Sequence, residues 1–299
     1  MRVVPVVGTR FAADGGAMFG LVPKPIWEKI FPSDERNAIP LNTNCLLVEL
    51  DDGRLGLVEI GPGDPQWFSE KERGILQFQE PWPLLEELKR HGVEPGQIDF
   101  VVLTHLHWDH SGGVGTLNDA GEPQFTFPNA QHFVHGIEWQ DANSGDPVLG
   151  QSYPETSVGP LRAALTEAVI LVTDDAPDIL PGIRMARSGG HTDGHCAVVL
   201  TSDTLTLEHP DAAALGAIDT VVFAGDVCPT RGHLRLVFTT AYDTHPLSTR
   251  AWKLDFLPEI TANGYILMFV HDPDFFGATL REDDKGEIVM DKTLAVQAS

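Results

Sequence analysis

The sequence has few cysteines and no long hydrophobic run. Its three cysteines, Cys45, Cys196 and Cys228, are odd in number and form no Cys-x-x-Cys pair, which argues against a disulfide framework and a zinc ribbon. No apolar run reaches the ~18 residues of a transmembrane helix. The opening MRVVPVVG is broken by Pro5 and is not typical of a secretory signal. We therefore expect a cytoplasmic protein.

Basic residues are also scarce. The chain carries 20 Lys and Arg against 43 Asp and Glu, a formal net charge of −23. A surface this acidic repels phosphate backbones and anionic lipid headgroups, so we expect no nucleic-acid partner and no membrane partner. Hydrophobic residues make up 42% of the 299 residues, and no Gly/Ser-rich linker divides them. The composition predicts a single domain over residues 1–299.

Hydrophobic patterns and turn residues predict several elements. The turn signal DDG separates the apolar segments 45–50 and 54–60 and predicts a β-hairpin, and LREDDKGEIVM predicts another near the C-terminus. The segment PLLEELKRHG places its leucines on one helical face and predicts a helix that stops at Gly92.

Less regular segments predict loops and one later helix. Residues 14–32 are rich in Gly, Pro and large apolar side chains and predict a long ordered loop, and residues 138–159 predict a loop that could form a flap. The segment LSTRAWKLDFL predicts a helix with Ser248 or Thr249 as its N-cap.

The stretch THLHWDHSGG, residues 104–113, concentrates metal-binding side chains. It follows the buried-strand pattern IDFVVL, and His105 and His107 point the same way where the chain is extended. Asp109 and His110 are adjacent, so both can join the cluster only if the chain turns. The glycine pair that follows permits such a turn at low steric cost. We therefore predict a strand-to-helix corner with a side-chain cluster at its tip.

Three later apolar strand patterns each end in a metal-type ligand: RMARSGGH at His191, TVVFAGD at Asp226 and YILMFVH at His271. The total of five histidines and two aspartates exceeds one tetrahedral zinc site and suits two ions, with Asp226 as the expected bridge. Imidazole and carboxylate without thiolate suit Zn, Fe, Mn or Co in a hydrolytic site. Such ions would lower the pKa of a shared water from ~15.7 toward ~7.

At this point the sequence resembles a known family. THLHWDH matches the His-x-His-x-Asp-His signature of the metallo-β-lactamase superfamily, and the three later ligands follow in the order which that superfamily uses. The segments GGAMFG, VPKP, GGHTDGH and AYDTHP further resemble the branch of quorum-quenching lactonases, which open N-acyl-homoserine lactones. The resemblance implies an α/β fold of the αββα sandwich type, with two sheets covered by helices on their outer faces.

The resemblance also implies a ligand set and a cofactor. The cofactor is two divalent metal ions, zinc first, with Fe, Mn or Co also compatible. The implied partner is a small lactone or ester, and homodimers occur in the resembling family. The implied assignment gives the first metal His105, His107 and His191, gives the second Asp109, His110 and His271, and places Asp226 between them.

The implied reaction is attack of a metal-bridging hydroxide on a lactone carbonyl, with Asp109 or Asp226 moving the proton. Two departures from the family pattern bear on it. The usual Asp-Thr-Gly reads EIG here, and Glu59 is expected to keep the role of hydrogen-bond acceptor. No tyrosine closely follows the bridging aspartate, so Tyr242 or His233 would replace it as the donor to the leaving oxygen.

Other functions fit the same residues. An organophosphate triesterase or an aryl or alkyl esterase on the same metal site is the first alternative. A metal-dependent oxidoreductase is the second; flavodiiron sites usually carry Glu where this chain has His107, and persulfide dioxygenases use one iron. A non-catalytic module is disfavoured by the complete ligand set, and a nuclease by the acidic charge.

Some residues near these motifs have a plainer interpretation. Met18, Phe19, Leu21 and Trp27 either line an acyl-chain pocket or pack as ordinary core, and the sequence favours neither. In GGHTDGH, the second histidine, His195, is interpreted as a structural hydrogen-bonding residue beside the site. Cys228 is interpreted as a small apolar residue and not as a thiolate ligand.

Overall fold

The computed structural model describes residues 1–118, 123–149, 152–153, 155–163, 168–174 and 178–297. The segments of some central strands, such as Phe100–Val102 and Ile266–Met268, are apolar throughout, because both faces of each sheet are covered. The strands are β1 (Arg2–Asp14), β2 (Ala38–Glu49), β3 (Leu55–Val58), β4 (Phe100–Val102), β5 (Gly115–Leu117), β6 (Pro123–Phe125), β7 (Gln131–His135), β8 (Val169–Val172), β9 (Ile183–Arg187), β10 (Cys196–Thr201), β11 (Thr206–Leu207), β12 (Thr220–Phe223), β13 (Ile266–Met268), β14 (Phe275–Glu282) and β15 (Ile288–Ala295).

The helices are mostly short. Within the described part of the chain, none combines the length and the apolar character needed to cross a membrane. Single 3₁₀ turns also occur, at Gly225–Val227 and Arg231–Leu234 among other places. The α-helices are α1 (Gly15–Phe19), α2 (Lys24–Trp27), α3 (Glu70–Leu76), α4 (Pro83–Arg90), α5 (Trp108–Ser111), α6 (Gly136–Ala142), α7 (Glu155–Ala163), α8 (Ala212–Leu215) and α9 (Pro246–Asn263).

The strands form two main sheets within the described residues. One sheet has the order β11-β1-β2-β3-β4-β7-β8 and the other β15-β14-β13-β12-β10-β9, while β5 and β6 pair separately. The antiparallel pairs β2–β3 and β14–β15 confirm the two hairpins predicted from turn residues. Strands β3, β4, β7 and β8 run parallel to one another, as do β12 and β13.

Alternating side chains build three hydrophobic layers. In β2, Leu46 and Val48 pack between the two sheets, whereas Leu47 packs on the opposite face against helices. In β13, Met268 faces the core between the sheets and Leu267 packs toward α9. A period of two therefore places apolar residues on both faces of each strand.

Helices cover the outer face of each sheet. Leu84 and Leu88 of α4 and Leu161 of α7 pack in the layer outside the first sheet. Trp252 and Ile260 of α9 pack in the layer outside the second. The predicted αββα sandwich is confirmed.

Three local predictions are wrong in part. The segment 138–159 is not a continuous loop, because α6 ends at Ala142 and α7 begins at Glu155, where Glu155 pairs with Arg162; residues 150, 151 and 154 lie outside the described part. Helix α9 begins at Pro246, with His245 as its N-cap, and not after Ser248 or Thr249.

The different start of α9 has a local cause. Proline fits the first turn of a helix since it needs no hydrogen-bond acceptor there. The Thr249 hydroxyl donates to Asp243 Oδ2 at 2.8 Å and is not free to cap the helix. The predicted loop 14–32 likewise contains the short helices α1 and α2.

Candidate metal centre

Four strands direct the chain to one edge of the sandwich. Strands β9, β12 and β13 run in the same direction, since β9 and β12 are each antiparallel to β10 and β12 is parallel to β13. The loop after β4 in the other sheet carries His105 and His107, and α5 follows at once with Asp109 and His110. His191, Asp226 and His271 follow β9, β12 and β13, respectively.

The structure brings the seven predicted ligand residues together. Within each of three groups, all ligand atoms lie within 4.8 Å of one another. Because the groups share His105 and His110, they form one continuous cluster. The groups are His105, His107 and His191; His105, His110 and Asp226; and Asp109, His110 and His271.

Ring nitrogens converge at this cluster. His191 Nε2 lies 2.9 Å from His107 Nδ1, and His271 Nε2 lies 3.5 Å from Asp109 Oδ2. His105, His110, His191 and His271 are each at most 1% exposed. Five imidazoles and two carboxylates therefore face one another in a largely buried space.

The neutral state of two of the imidazoles favours metal binding. Burial and the neighbouring His110 lower the pKa of His105 well below its usual value, and burial with a second imidazole does the same for the pKa of His107. Both rings are then neutral at pH 7, which is the form that binds a metal ion. At His110, burial opposes the charged form, but the carboxylates of Asp226 and Glu59 raise its pKa overall.

Asp226 lies at the centre of the cluster. Its Oδ1 is 3.4 Å from His110 Nε2 and 3.2 Å from His271 Nε2, and its Oδ2 is 3.3 Å from His191 Nε2. Burial favours the protonated acid, but the imidazoles, His271 first, hold the pKa of the Asp226 carboxyl well below its usual range. An ionised carboxylate with histidine nitrogens on both oxygens has the arrangement of a bridging ligand.

The orphaned atoms of the cluster fit a cation. Among the described residues, His105 Nε2, His110 Nε2 and Asp226 Oδ1 are buried without a hydrogen-bond partner. Buried polar atoms are normally hydrogen-bonded, so several unpaired acceptors facing one point need a cation to satisfy them. The residues present therefore fit divalent metal ions.

Protein atoms behind the imidazoles fix their orientation. His110 Nδ1 donates to Glu59 Oε2 at 3.0 Å, and the Thr104 backbone N–H donates to Glu59 Oε1 at 2.7 Å. This confirms that Glu59 keeps the acceptor role in place of the usual aspartate. His195 Nε2 accepts from the Asp226 backbone N–H at 2.9 Å, which agrees with its structural interpretation.

Further partners were not predicted from the sequence. His191 Nδ1 donates to the buried Asp243 carboxylate at 3.0 Å, and His271 Nδ1 donates to the Asn42 carbonyl at 2.7 Å. Asp243 lies in the motif AYDTHP, which supported the resemblance but indicated no role for this residue. Glu138 and Tyr153, both buried, also lie close to the cluster.

The two candidate donors to the leaving oxygen lie in different environments. His233 is 1% exposed, its Nδ1 is hydrogen-bonded to Thr230 Oγ1 at 2.9 Å and its Nε2 to the Met18 carbonyl at 2.9 Å. The suggestion that His233 is the donor is therefore wrong, since both ring nitrogens are occupied. Tyr242 is 55% exposed, and burial and the nearby charge of Asp109 raise its pKa. Its role stays a prediction.

The four apolar residues that the sequence offered for an acyl-chain pocket fall into two sets. Met18, Phe19 and Trp27 are buried in a small core, whereas Leu21 is 89% exposed, so the core interpretation holds for three of the four. Cys228 is likewise a buried core residue, and burial raises the pKa of its thiol to about 12.

Aromatic rings flank the Asp109 side of the cluster. The Phe11 ring lies 5.8 Å from the His271 ring and 5.9 Å from Trp108. Phe68 and Phe78 lie 5.7 and 6.2 Å from Trp108. Phe68, Phe78 and Trp108 are partly exposed, so they present an apolar surface beside the candidate metal centre.

The fold and the cluster agree with a comparison to known families. A family model described as the metallo-beta-lactamase superfamily matches residues 38–271, most of the chain. The chain therefore belongs to the metallo-beta-lactamase superfamily. Membership implies divalent metal ions.

The chain is also similar to individual proteins of known sequence or structure. The chain is 29% identical over 167 residues to N-acyl homoserine lactonase AttM from Azorhizobium caulinodans, and the match spans 59% of that protein's length. A probable metal-dependent hydrolase from Staphylococcus aureus has a TM-score of 0.84 and 29% identity, over 99% of this chain and 97% of that one. AidC, a dizinc quorum-quenching lactonase, has a TM-score of 0.71 at 18% identity, over 96% and 92% of the two chains, and shares the fold.

Proposed function

We propose that the protein is a dinuclear metal-dependent hydrolase that opens a lactone ring, with an N-acyl-homoserine lactone as its substrate. The observation that carries the proposal is the overlap of three groups of ligand atoms within 4.8 Å. A single ion cannot use all seven residues, whereas two adjacent ions can share the central carboxylate.

The chain's residues would divide between the two ions. Zinc is the first expectation, with Fe, Mn or Co compatible with the same ligands. When bound, the ions supply Lewis acidity and lower the pKa of a shared water toward ~7. In this assignment His105, His107 and His191 hold one ion, Asp109, His110 and His271 hold the other, and Asp226 lies between them.

A carboxylate would move the proton, and a phenol would stabilise the leaving oxygen. The Asp109 side chain is 17% exposed and that of Asp226 is 8% exposed, so Asp109 is better placed to reach the substrate. We assign Asp109 to take a proton from the attacking water and to pass it to the leaving oxygen. Tyr242, which is 55% exposed and close enough to Asp109 for that charge to raise the tyrosine pKa, would donate a hydrogen bond to the same oxygen. Tyr242→Phe should then lower kcat with no change in bound metal, and an unchanged kcat would remove Tyr242 from the reaction.

Two observations support the substrate class. The curated relatives are named N-acyl homoserine lactonases. The aromatic surface formed by Phe68, Phe78 and Trp108 gives the acyl group of such a lactone an apolar wall beside the cluster.

The same aromatic surface favours a second candidate. A planar aryl group can stack on Trp108 or Phe78, with edge-to-face or offset geometry. An aryl esterase or organophosphate triesterase on the same metal site would use the surface in this way.

A substrate panel tests the proposal. Metal-replete protein would be assayed with short- and long-chain acyl-homoserine lactones, an aryl ester, paraoxon and a cephalosporin. We expect the lactones to be hydrolysed fastest, and Asp226→Asn to abolish turnover because the central carboxylate is lost. Asp255→Asn, on the exposed side of α9, is the matched control and should be as active as the wild type.

Other outcomes of the panel separate the candidates. Faster cleavage of paraoxon or the aryl ester would keep the metal site and overturn the lactone assignment. An Asp226→Asn variant that keeps full activity would overturn the role of the cluster.

A further inference from the structure

Glu138 is a buried carboxylate next to the candidate metal centre but outside its ligand set. It lies on α6, which follows β7, the strand adjacent to β4. The residue is 0% exposed. A fully buried carboxylate is costly unless several donors satisfy it, so its partners indicate why it is there.

The donors to Glu138 come from both ligand-bearing loops. The Leu106 backbone N–H donates to Glu138 Oε1 at 2.8 Å, and the Thr192 hydroxyl donates to Oε2 at 2.5 Å. Leu106 lies between His105 and His107, and Thr192 directly follows His191. One carboxylate therefore joins the loop after β4 in the first sheet to the loop after β9 in the second.

A neighbouring tyrosine and a close backbone contact strengthen this junction. Tyr153 lies beside Glu138 and is buried, and its ring lies 5.3 Å from the His107 ring. Gly194, in the His191 loop, packs so closely that a Cβ there would lie 2.1 Å from the Glu138 backbone nitrogen. The loop thus rests directly on α6.

We propose that Glu138 is a positioning residue for one of the two ion positions, that of His105, His107 and His191. The inference rests on the proposed function, since it assumes that two ions bind. Glu138 does not touch the cluster; it acts by fixing the backbone on either side of His107 and His191, whose ring nitrogens meet at 2.9 Å.

Glu59 is the natural counterpart for the other position. It accepts directly from His110 Nδ1, and His110 belongs to the group with Asp109 and His271. Glu59 would then act mainly on the second position, although it also accepts from the Thr104 backbone N–H next to His105. Loss of a residue that orients metal ligands typically weakens metal affinity by about 10–100-fold.

The test measures Co²⁺ affinity by visible absorption in two backgrounds, each of which retains one ion position. In the first background, His271→Ala removes one ligand of the second ion position and leaves the group of His105, His107 and His191 intact. In the second background, His107→Ala leaves the group of Asp109, His110 and His271 intact. Glu138→Leu should weaken Co²⁺ binding by about 10-fold or more in the first background and leave the second unchanged. Glu59→Leu should weaken Co²⁺ binding more in the second background than in the first, because Glu59 accepts directly from His110 Nδ1.

Milder variants keep the test decisive if a leucine variant does not fold. Glu138→Gln retains an oxygen that can accept from Leu106 and should restore part of the affinity. Thr192→Val removes only the hydroxyl donor and should weaken Co²⁺ binding a few-fold in the His271→Ala background alone.

The outcomes separate the inference from the proposed function. Wild-type protein that binds no Co²⁺, or only one ion, would overturn the proposed function. Wild-type protein that binds two ions, with Glu138 variants that bind equally well in both backgrounds, would overturn the inference alone. Equal weakening in both backgrounds would also overturn it, because it would show a general structural role.

Discussion

Four imidazoles of the candidate metal centre have one ring nitrogen held by the protein and the other turned to the cluster. The groups that hold these nitrogens differ in chemistry: a hydroxyl, two carboxylates and a backbone carbonyl. Such contacts select which nitrogen keeps its lone pair for a metal. They are Thr104 for His105, Glu59 for His110, Asp243 for His191 and the Asn42 carbonyl for His271.

Asp243 gives the clearest prediction at this scale. Its carboxylate accepts from His191 at 3.0 Å, and that hydrogen bond helps to hold its pKa below the usual value against the effect of burial. Asp243→Asn keeps the size but removes the charge, so we expect zinc affinity to fall by about 10–100-fold. Competition with a chelating dye would measure it. Asp255→Asn is the matched control, and equal affinities for the two variants would contradict the role of Asp243.

The ligands could be predicted from the sequence, but most of their partners could not. The ligands from His105 to His110 lie in one short motif, and the other three each follow an apolar strand pattern. The ligands are therefore recognisable from both their residue type and their position in the sequence. Asp243 lies 52 residues after its partner His191, and Glu138 lies 32 residues after Leu106. No spacing rule connects such pairs, because tertiary packing alone brings them together.

At the scale of elements, local sequence patterns predict a helix or hairpin correctly where no tertiary contact competes with them. The hairpin turns and α4 follow from turn residues and leucine spacing, and both were correctly predicted. The start of α9 was not correctly predicted, because the Thr249 hydroxyl donates a hydrogen bond to Asp243 and does not cap the helix. Helices α6 and α7 were missed for a related reason, since their apolar residues pack on a sheet whose position is not visible in the local pattern.

Helix α9 also carries an unusual buried lysine. Lys253 is 1% exposed, and its ammonium donates to the carbonyls of His233 at 2.9 Å and Arg235 at 3.2 Å and to that of Phe238. It therefore fastens the segment 233–238 to the helix. Burial lowers the pKa of Lys253 to about 8.

Replacing this lysine should destabilise the fold. Lys253→Met leaves the carbonyls without their donor, and an unsatisfied buried group costs about 1–3 kcal/mol. We expect the free energy of unfolding in urea to fall by about that amount. Lys285→Met, at an exposed turn, should leave it unchanged. A Lys253 variant as stable as this control would show that the ammonium does not hold the segment.

At the scale of the whole molecule, buried neutral histidines make stability depend on pH. Burial lowers the pKa of His195 and of His233 to about 3, and that of His132 to about 4. Unfolded histidine has a pKa of about 6.5, so between these values the unfolded chain binds more protons. Each residue contributes stability above pH ~6.5 that is lost as the pH falls toward its folded pKa.

His233 allows this effect to be measured. The glutamine of His233→Gln can still donate to the Met18 carbonyl and accept from Thr230, but it does not titrate. Between pH 6.5 and 4.5 we expect the slope of unfolding free energy against pH to become shallower by about 1 kcal/mol per pH unit. Urea unfolding at several pH values gives the slope. An identical slope for wild type and variant would contradict the assignment of a neutral buried imidazole.

The fold of the whole molecule is the expected αββα sandwich. Other expectations at this scale stay predictions. The family match covers residues 38–271, and a single domain over 1–299 stays a prediction. A cytoplasmic location and a homodimer also stay predictions. The acidic net charge of −23 and the small buried centre both agree with a small-molecule substrate.

The central claim is that two ions bind among seven named residues. Anomalous diffraction from crystals of zinc-loaded protein, collected above and below the zinc absorption edge, tests it most directly. We predict two peaks: one among His105, His107 and His191, and one among Asp109, His110 and His271, with the Asp226 carboxylate between them. A single peak, or peaks away from these residues, would contradict the account.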